Sequence, residues 1–226
     1  MIAGALDCTI DSLFGMSDLV ILDAWFGDGL EKRSVATRLT RYIENDSINI
    51  VVSPNVFGET LSGDRVFYLT VKYRVPSGVY YACARQNDSL YICAQGGGYS
   101  LDGEKLKIIA ASYGNANMYG DVMRKVKRYS VFNWNGYPAN DALFPSDPMN
   151  DGEEYLTLVY INHEGINMTA CKEGESIDYS RDGTALFRKK RLDAAERFIP
   201  NVEELPRIGR RGRRIIPAPC NIRNLA

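Results

Sequence analysis

His163 is the single histidine in 226 residues, and that count closes most routes to catalysis. A Ser-His-Asp relay needs an imidazole beside its nucleophile, and multi-histidine metal centres need several. His163 sits in Asn162-His163-Glu164-Gly165, a run with turn composition, where a solvated imidazole is the expectation. Five cysteines (Cys8, Cys83, Cys93, Cys171 and Cys220) are odd in number and form no CxxC pair, so free thiols in a reducing compartment are expected. Cys83 and Cys171 miss equivalence within the internal repeat described below by one residue, enough to reverse the facing of a strand side chain. Acids cluster at 147–154 and 173–178, stretches that read as turns with solvated carboxylates rather than as the walls of an acid/base cleft. Gly96-Gly97-Gly98 could cradle phosphate only with a helix N-terminus and a lysine after it, whereas a strand pattern follows. The expectation is a protein that is not an enzyme, with no catalytic residue, no metal ligand and no cofactor.

Two residue groups could bind rather than react. The first is the basic run near the C-terminus, Arg207, Ile208, Arg210, Arg211, Arg213 and Arg214, followed by Ile215 and Ile216. Residues 181–226 hold 12 Lys and Arg against 5 Asp and Glu, a net +7, which leaves −8 on residues 1–180. Such an arm suits phosphate neutralisation on nucleic acid or docking on an acidic protein surface. The interleaved isoleucines and prolines favour the protein surface. The second group is aromatic: Trp134 and Tyr137, next to Asn and Gly, could form a stacking platform for sugar rings.

The elements that must position these residues follow from a repeat. Residues 19–92, moved forward by 87 positions without a gap, match residues 106–179 at 14 of 74 positions, where chance gives about four or five. Leu19, Ala24, Gly27, Val35, Phe57, Tyr68, Leu69, Thr70, Tyr73 and Gly78 meet Leu106, Ala111, Gly114, Val122, Phe144, Tyr155, Leu156, Thr157, Tyr160 and Gly165. Each copy reads as a strand ending at Gly27 or Gly114, a short segment with apolar residues four apart, and a further strand at 47–52 or 130–134. The segment at 35–39 or 122–126 fits one helical turn or an irregular strand equally. A branched and aromatic strand at 66–73 or 155–160 comes next, then two closing strands.

The fold expected is all-β: two tandem antiparallel β-sandwich, jelly-roll-like domains. The boundaries read are an N-terminal segment 1–18, a first sandwich 19–95, a flexible Gly-rich linker 96–105, a second sandwich 106–180, a helix 181–200 and an extended basic arm 201–226. That helix is drawn from the pattern at 184–199, capped by Asp182 or Thr184 and stopped by Pro200. No stretch is long and apolar enough to span a bilayer. The first 16 residues have no basic residue and carry Asp7 and Asp11, so an intracellular site of synthesis is expected.

The shared pattern Ile-x-x-Ala-x-(Phe/Tyr)-Gly, Val-x-x-x-(Leu/Val), (Val/Leu)-Phe and Tyr-Leu-Thr-(Val/Leu)-x-Tyr, closed by Lys172-Glu173-Gly174-Glu175-Ser176-Ile177, resembles a small all-β domain family of unknown function. A similar domain ends a mitochondrial J-domain co-chaperone. The resemblance implies a binding or scaffolding role. Tandem sandwiches with a basic arm are also similar in architecture to minor or vertex, penton-like, capsid proteins of large icosahedral DNA viruses. The functional expectation is a structural subunit of a large assembly, in a virion made in host cytoplasm or in a cytoplasmic or organellar assembly. Its partners would be other subunits or copies of itself, with nucleic acid as a second partner through the arm. A carbohydrate-binding module and a nucleic-acid-contacting assembly protein are the alternatives.

Overall fold

The structure, a computed structural model, describes residues 17–58, 65–115, 119–131, 136–140 and 152–189. It divides into two compact units, Met1–Leu192 and Asp193–Ala226. Both repeats belong to the first unit; the second lies outside the described residues.

In the first repeat, β1 (Val20–Gly27) leads to β2 (Lys32–Ser34), α1 (Ala36–Leu39), a 3-10 turn at Thr40–Tyr42, β3 (Ser47–Val51) and α2 (Pro54–Phe57). It ends with β4 (Tyr68–Val75), β5 (Gly78–Arg85) and β6 (Ser89–Cys93). The second repeat runs β7 (Leu106–Gly114), β8 (Tyr119–Asp121), α3 (Met123–Val131), β9 (Gly136–Pro138), β10 (Tyr155–Asn162), β11 (Gly165–Lys172) and β12 (Ser176–Tyr179), and β13 (Leu186–Lys189) follows. The all-β class holds, as several antiparallel sheets.

The 87-residue offset carries into topology and register. The order β2-β1-β4-β5 is matched by β8-β7-β10-β11, and β3-β6 by β9-β12, with β13 added on the far side of β12. Tyr68 faces Arg85 as Tyr155 faces Lys172, and Asn49 faces Tyr91 as Gly136 faces Asp178. Even the bulge recurs: β1 skips Leu22 against β4, and β7 skips Ile109 against β10. A one-residue slip would turn each apolar set to the wrong face, so a shared register means a shared core.

That core follows strand alternation. Leu69, Val71, Tyr73 and Val75 of β4 point inward with Phe26, Ile48, Ile50, Phe57, Leu90 and Ile92. Their second-repeat counterparts Leu156, Leu158, Tyr160, Tyr137 and Ile177 are likewise buried. The segment left open between helix and strand is helical in both copies: Val35 with Leu39, and Val122 with Val126, bury the i and i+4 positions of one face.

Some expectations need correction. The strand read at 130–134 is absent at its start, because α3 extends through Val131; the matching strand is β9, where the repeat offset from β3 puts it. The helix read from Thr184 does not begin there. Residues 181–184 form a turn, and Leu186–Lys189 is a strand paired with β12, fixed by Arg188 donating from Nε and Nη2 to Glu175 at 2.7 Å each. A bidentate charged pair across strands outweighs a weak helical propensity. Residues 190–200 lie outside the described set. The glycine linker is held rather than loose: Tyr81 and Tyr99 exchange both backbone hydrogen bonds, at 2.9 and 2.7 Å. A Cβ on Gly98 would stand 2.4 Å from the Tyr73 hydroxyl, so only glycine lets the backbone approach this closely. Gly27 likewise serves close approach, to the Glu31 carbonyl. Finally Glu154, expected on a solvated turn, is buried at the position matched to Phe67.

Candidate binding cleft between the repeats

The outward face of β10 is largely buried, and so is that of β4 at Tyr68 and Thr70, giving way to solvent at Arg74. Val66 and Tyr68 of the first repeat form one apolar cluster with Ile109, Val159, Ile161 and Ile166 of the second, and Tyr81, Cys83, Tyr119 and Met168 pack against it. Alternation explains why: with Leu69 and Val71 turned to the first repeat's own core, Tyr68 must project from the opposite face. Gly29 sits against β11, where a Cβ would be 2.6 Å from the Thr169 carbonyl carbon. The expected reversal at the cysteines is seen. Cys83 lies in the inter-repeat cluster, while Cys171 occupies the inner-core position matched to Ala84.

Beside this cluster lies a cleft of about 690 Å³ lined chiefly by β5 and β7, with Asp121 and Lys127 also in its lining. Its charged lining is mixed, with Arg85, Lys107 and Lys127 against Asp88, Glu104 and Asp121. Arg85 ties the cleft to both repeats. Its Nε donates to Asp88 at 2.9 Å, and its guanidinium lies 5.3 Å from the centroid of the Tyr119 ring across the repeat boundary. A second cation–π contact, Arg65 at 5.7 Å from the Tyr155 ring, crosses the same boundary. Arg65 also pairs with the buried Asp28 at 2.6 Å, whose other oxygen accepts the Leu30 and Glu31 amides at 2.8 Å each. Lys107 is held by Asp102 at 2.9 Å and by the Ser100 carbonyl at 3.0 Å.

Two groups that line the cleft, Cys83 and Tyr68, are shifted by burial. Burial pushes the Cys83 thiol up to about 12, so it carries almost no thiolate at neutral pH. Burial also pushes the Tyr68 phenol above its usual range. The Tyr68 and Ser112 side-chain oxygens are buried without a hydrogen bond among the described residues. His163 is exposed in the β10–β11 turn, as its sequence context indicates. The described residues contain no group of three or more His, Cys, Asp or Glu placed to hold a metal ion.

Of the binding residues read from sequence, only Tyr137 lies among the described residues. Arg207, Ile208, Arg210, Arg211, Arg213, Arg214, Ile215 and Ile216 lie outside the described residues, as does Trp134. Tyr137 is 1% exposed, its ring 5.6 Å from that of Tyr179 and its hydroxyl bonded to the Tyr179 hydroxyl. It is a core residue matched to Ile50 and offers no exposed face for stacking, so Tyr137 does not contribute to the sugar platform expected of it and Trp134. Sequence reading missed the Arg85–Tyr119 and Arg65–Tyr155 pairs. The signal for them was an apolar outward face on β10, Val159 and Ile161, which on a solvated sheet would be polar.

Compared with family models, with curated proteins and with solved structures, the chain has no match.

Proposed function

We propose that this protein is a non-enzymatic structural subunit of a larger protein assembly. The observation that carries this reading is the joining of the repeats: their outward sheet faces are used on each other through Val66, Tyr68, Ile109, Val159 and Ile161. Side chains that could do chemistry serve that joint instead. Arg85 and Arg65 stack across it, and Cys83 packs against it. A body of net −8 followed by a segment of net +7 suits lateral association, each copy's basic arm lying on an acidic neighbour. Within this reading each repeat is a small sandwich of the jelly-roll kind, and the assembly is the capsid of a large DNA virus, with the protein at a minor or vertex position.

The charge attraction alone is weak, because exposed pairs contribute under about 1 kcal/mol each and are screened over about 8 Å at physiological salt. Specific docking therefore falls to Ile208, Ile215 and Ile216, with the arginines selecting the surface. The test is co-purification of the protein with particles after deletion of residues 207–226. A deleted form that stays folded but no longer incorporates supports the reading, and normal incorporation contradicts it. Loss of salt-dependent DNA or RNA affinity with normal incorporation would assign the arm to nucleic acid.

A further inference from the structure

The two repeats differ at one edge, and the difference has the shape of a strand. In the second repeat β12 is central, flanked by β9 and β13; in the first repeat its counterpart β6 pairs, among the described residues, with β3 alone. The stretch matched to β13 by the 87-residue offset begins at Tyr99, and it has gone to the other sheet, where Tyr99 pairs with Tyr81 of β5. A groove of about 270 Å³ lies beside β6, lined by Ser89, Leu90 and Tyr91, by Gly96–Tyr99 and by Tyr81–Cys83 of β5. Gly97 forms part of that wall with no atom within 4 Å of where its Cβ would be.

Backbone polarity supports the match. Val52 donates to the Asp88 carbonyl and Ala94 to the Asp46 carbonyl, both at 2.9 Å. Antiparallel alternation then turns residues 88, 90, 92 and 94 toward β3 and leaves the amides and carbonyls of Ser89 and Tyr91 directed at the open edge. Their counterparts Ser176 and Asp178 face Lys189 and Phe187 of β13. Tyr91 is 65% exposed beside this edge.

We infer that the β6 edge is an acceptor for an extended peptide segment of another polypeptide, added antiparallel as a third strand in the manner of β13. The chemistry of the guest follows from β13 itself. Leu186 is buried and Arg188 pairs with Glu175, whose counterpart is Asp88 at the base of β6. The guest therefore carries an apolar residue followed two positions later by a basic one, which shares Asp88 with Arg85, the side chain that already donates to it. This inference does not depend on the assembly reading, since an edge can accept a strand in any context.

The probe is a synthetic peptide with the sequence of residues 184–190, titrated into the full-length protein and followed by amide NMR shifts. Saturable binding with shifts centred on Ser89–Cys93 is expected. Methylating the peptide nitrogen of the residue at the Phe187 position should weaken binding about ten-fold or more, because that amide faces the acceptor strand, while methylation at the Arg188 position should not. Absence of saturable binding at millimolar peptide, equal effects of the two methylations, or shifts at Ser176–Tyr179 from exchange with β13 would each overturn the inference.

Discussion

At Gly98 a missing methyl decides where a backbone can run. A Cβ there would meet the Tyr73 hydroxyl at 2.4 Å and the Tyr81 carbonyl oxygen at 2.7 Å, and the second of these, being main chain, cannot swing aside. Gly98→Ala should cost on the order of 3 kcal/mol in urea unfolding and remove hydrogen-exchange protection from the Tyr99 amide. At Gly97 the cost is one of conformation, since φ is +108 and no atom stands near; Gly97→Ala should cost about 1–2 kcal/mol and leave that protection intact. Equal loss of Tyr99 protection in both variants would contradict the close-approach account. The glycine run was legible in the sequence as a break between repeats. Its tight packing was not, because it depends on Tyr73 and Tyr81, which are distant in the chain.

Among the elements, β13 shows where local sequence misleads. Leu186-Phe187-Arg188-Lys189 carries residues that a helix tolerates, and the choice of strand is made by Glu175, eleven residues before β13 begins. The turn feeding β13 is organised by Asp182, whose carboxylate accepts from the Ser180 hydroxyl at 2.7 Å and from the Thr184 hydroxyl and amide at 2.8 and 3.2 Å. Those donors, Ser180 first, lower its pKa from 3.8 to about 2. A depressed acid stabilises the turn fully above its unfolded value and loses that contribution as pH falls from about 4 to 2. A carboxyl carbon NMR titration should place the Asp182 midpoint near 2, and Ser180→Ala should move it toward 3.8; an unmoved midpoint would refute the hydroxyl as the cause. The short helices were half legible. Residues four apart at Val35 and Leu39, and at Val122 and Val126, gave the buried face, but four residues are too few for periodicity to separate helix from strand.

For the whole molecule, the 87-residue offset was the most informative feature of the sequence, and it holds down to individual cross-strand pairs and one bulge. What the offset could not reveal was the joint. A match between copies says that Tyr68 and Tyr155 are equivalent, yet Tyr68 is buried at the boundary while Tyr155 is half-buried under Arg65. The difference arises from the packing of one repeat on the other, which no comparison within a single copy contains. The shared cluster of Val66, Tyr68, Ile109, Val159, Ile161 and Ile166 makes the tandem one mechanical body, the property on which the assembly reading rests. Two tryptophans allow this to be measured, Trp25 in the first repeat and Trp134 in the second. In single-tryptophan variants, urea unfolding followed by fluorescence should give coincident midpoints, and Ile161→Ala, at a cost of about 2–5 kcal/mol, should lower both together. Separate transitions, with only the Trp134 signal responding to Ile161→Ala, would mean two independent domains and would contradict the account.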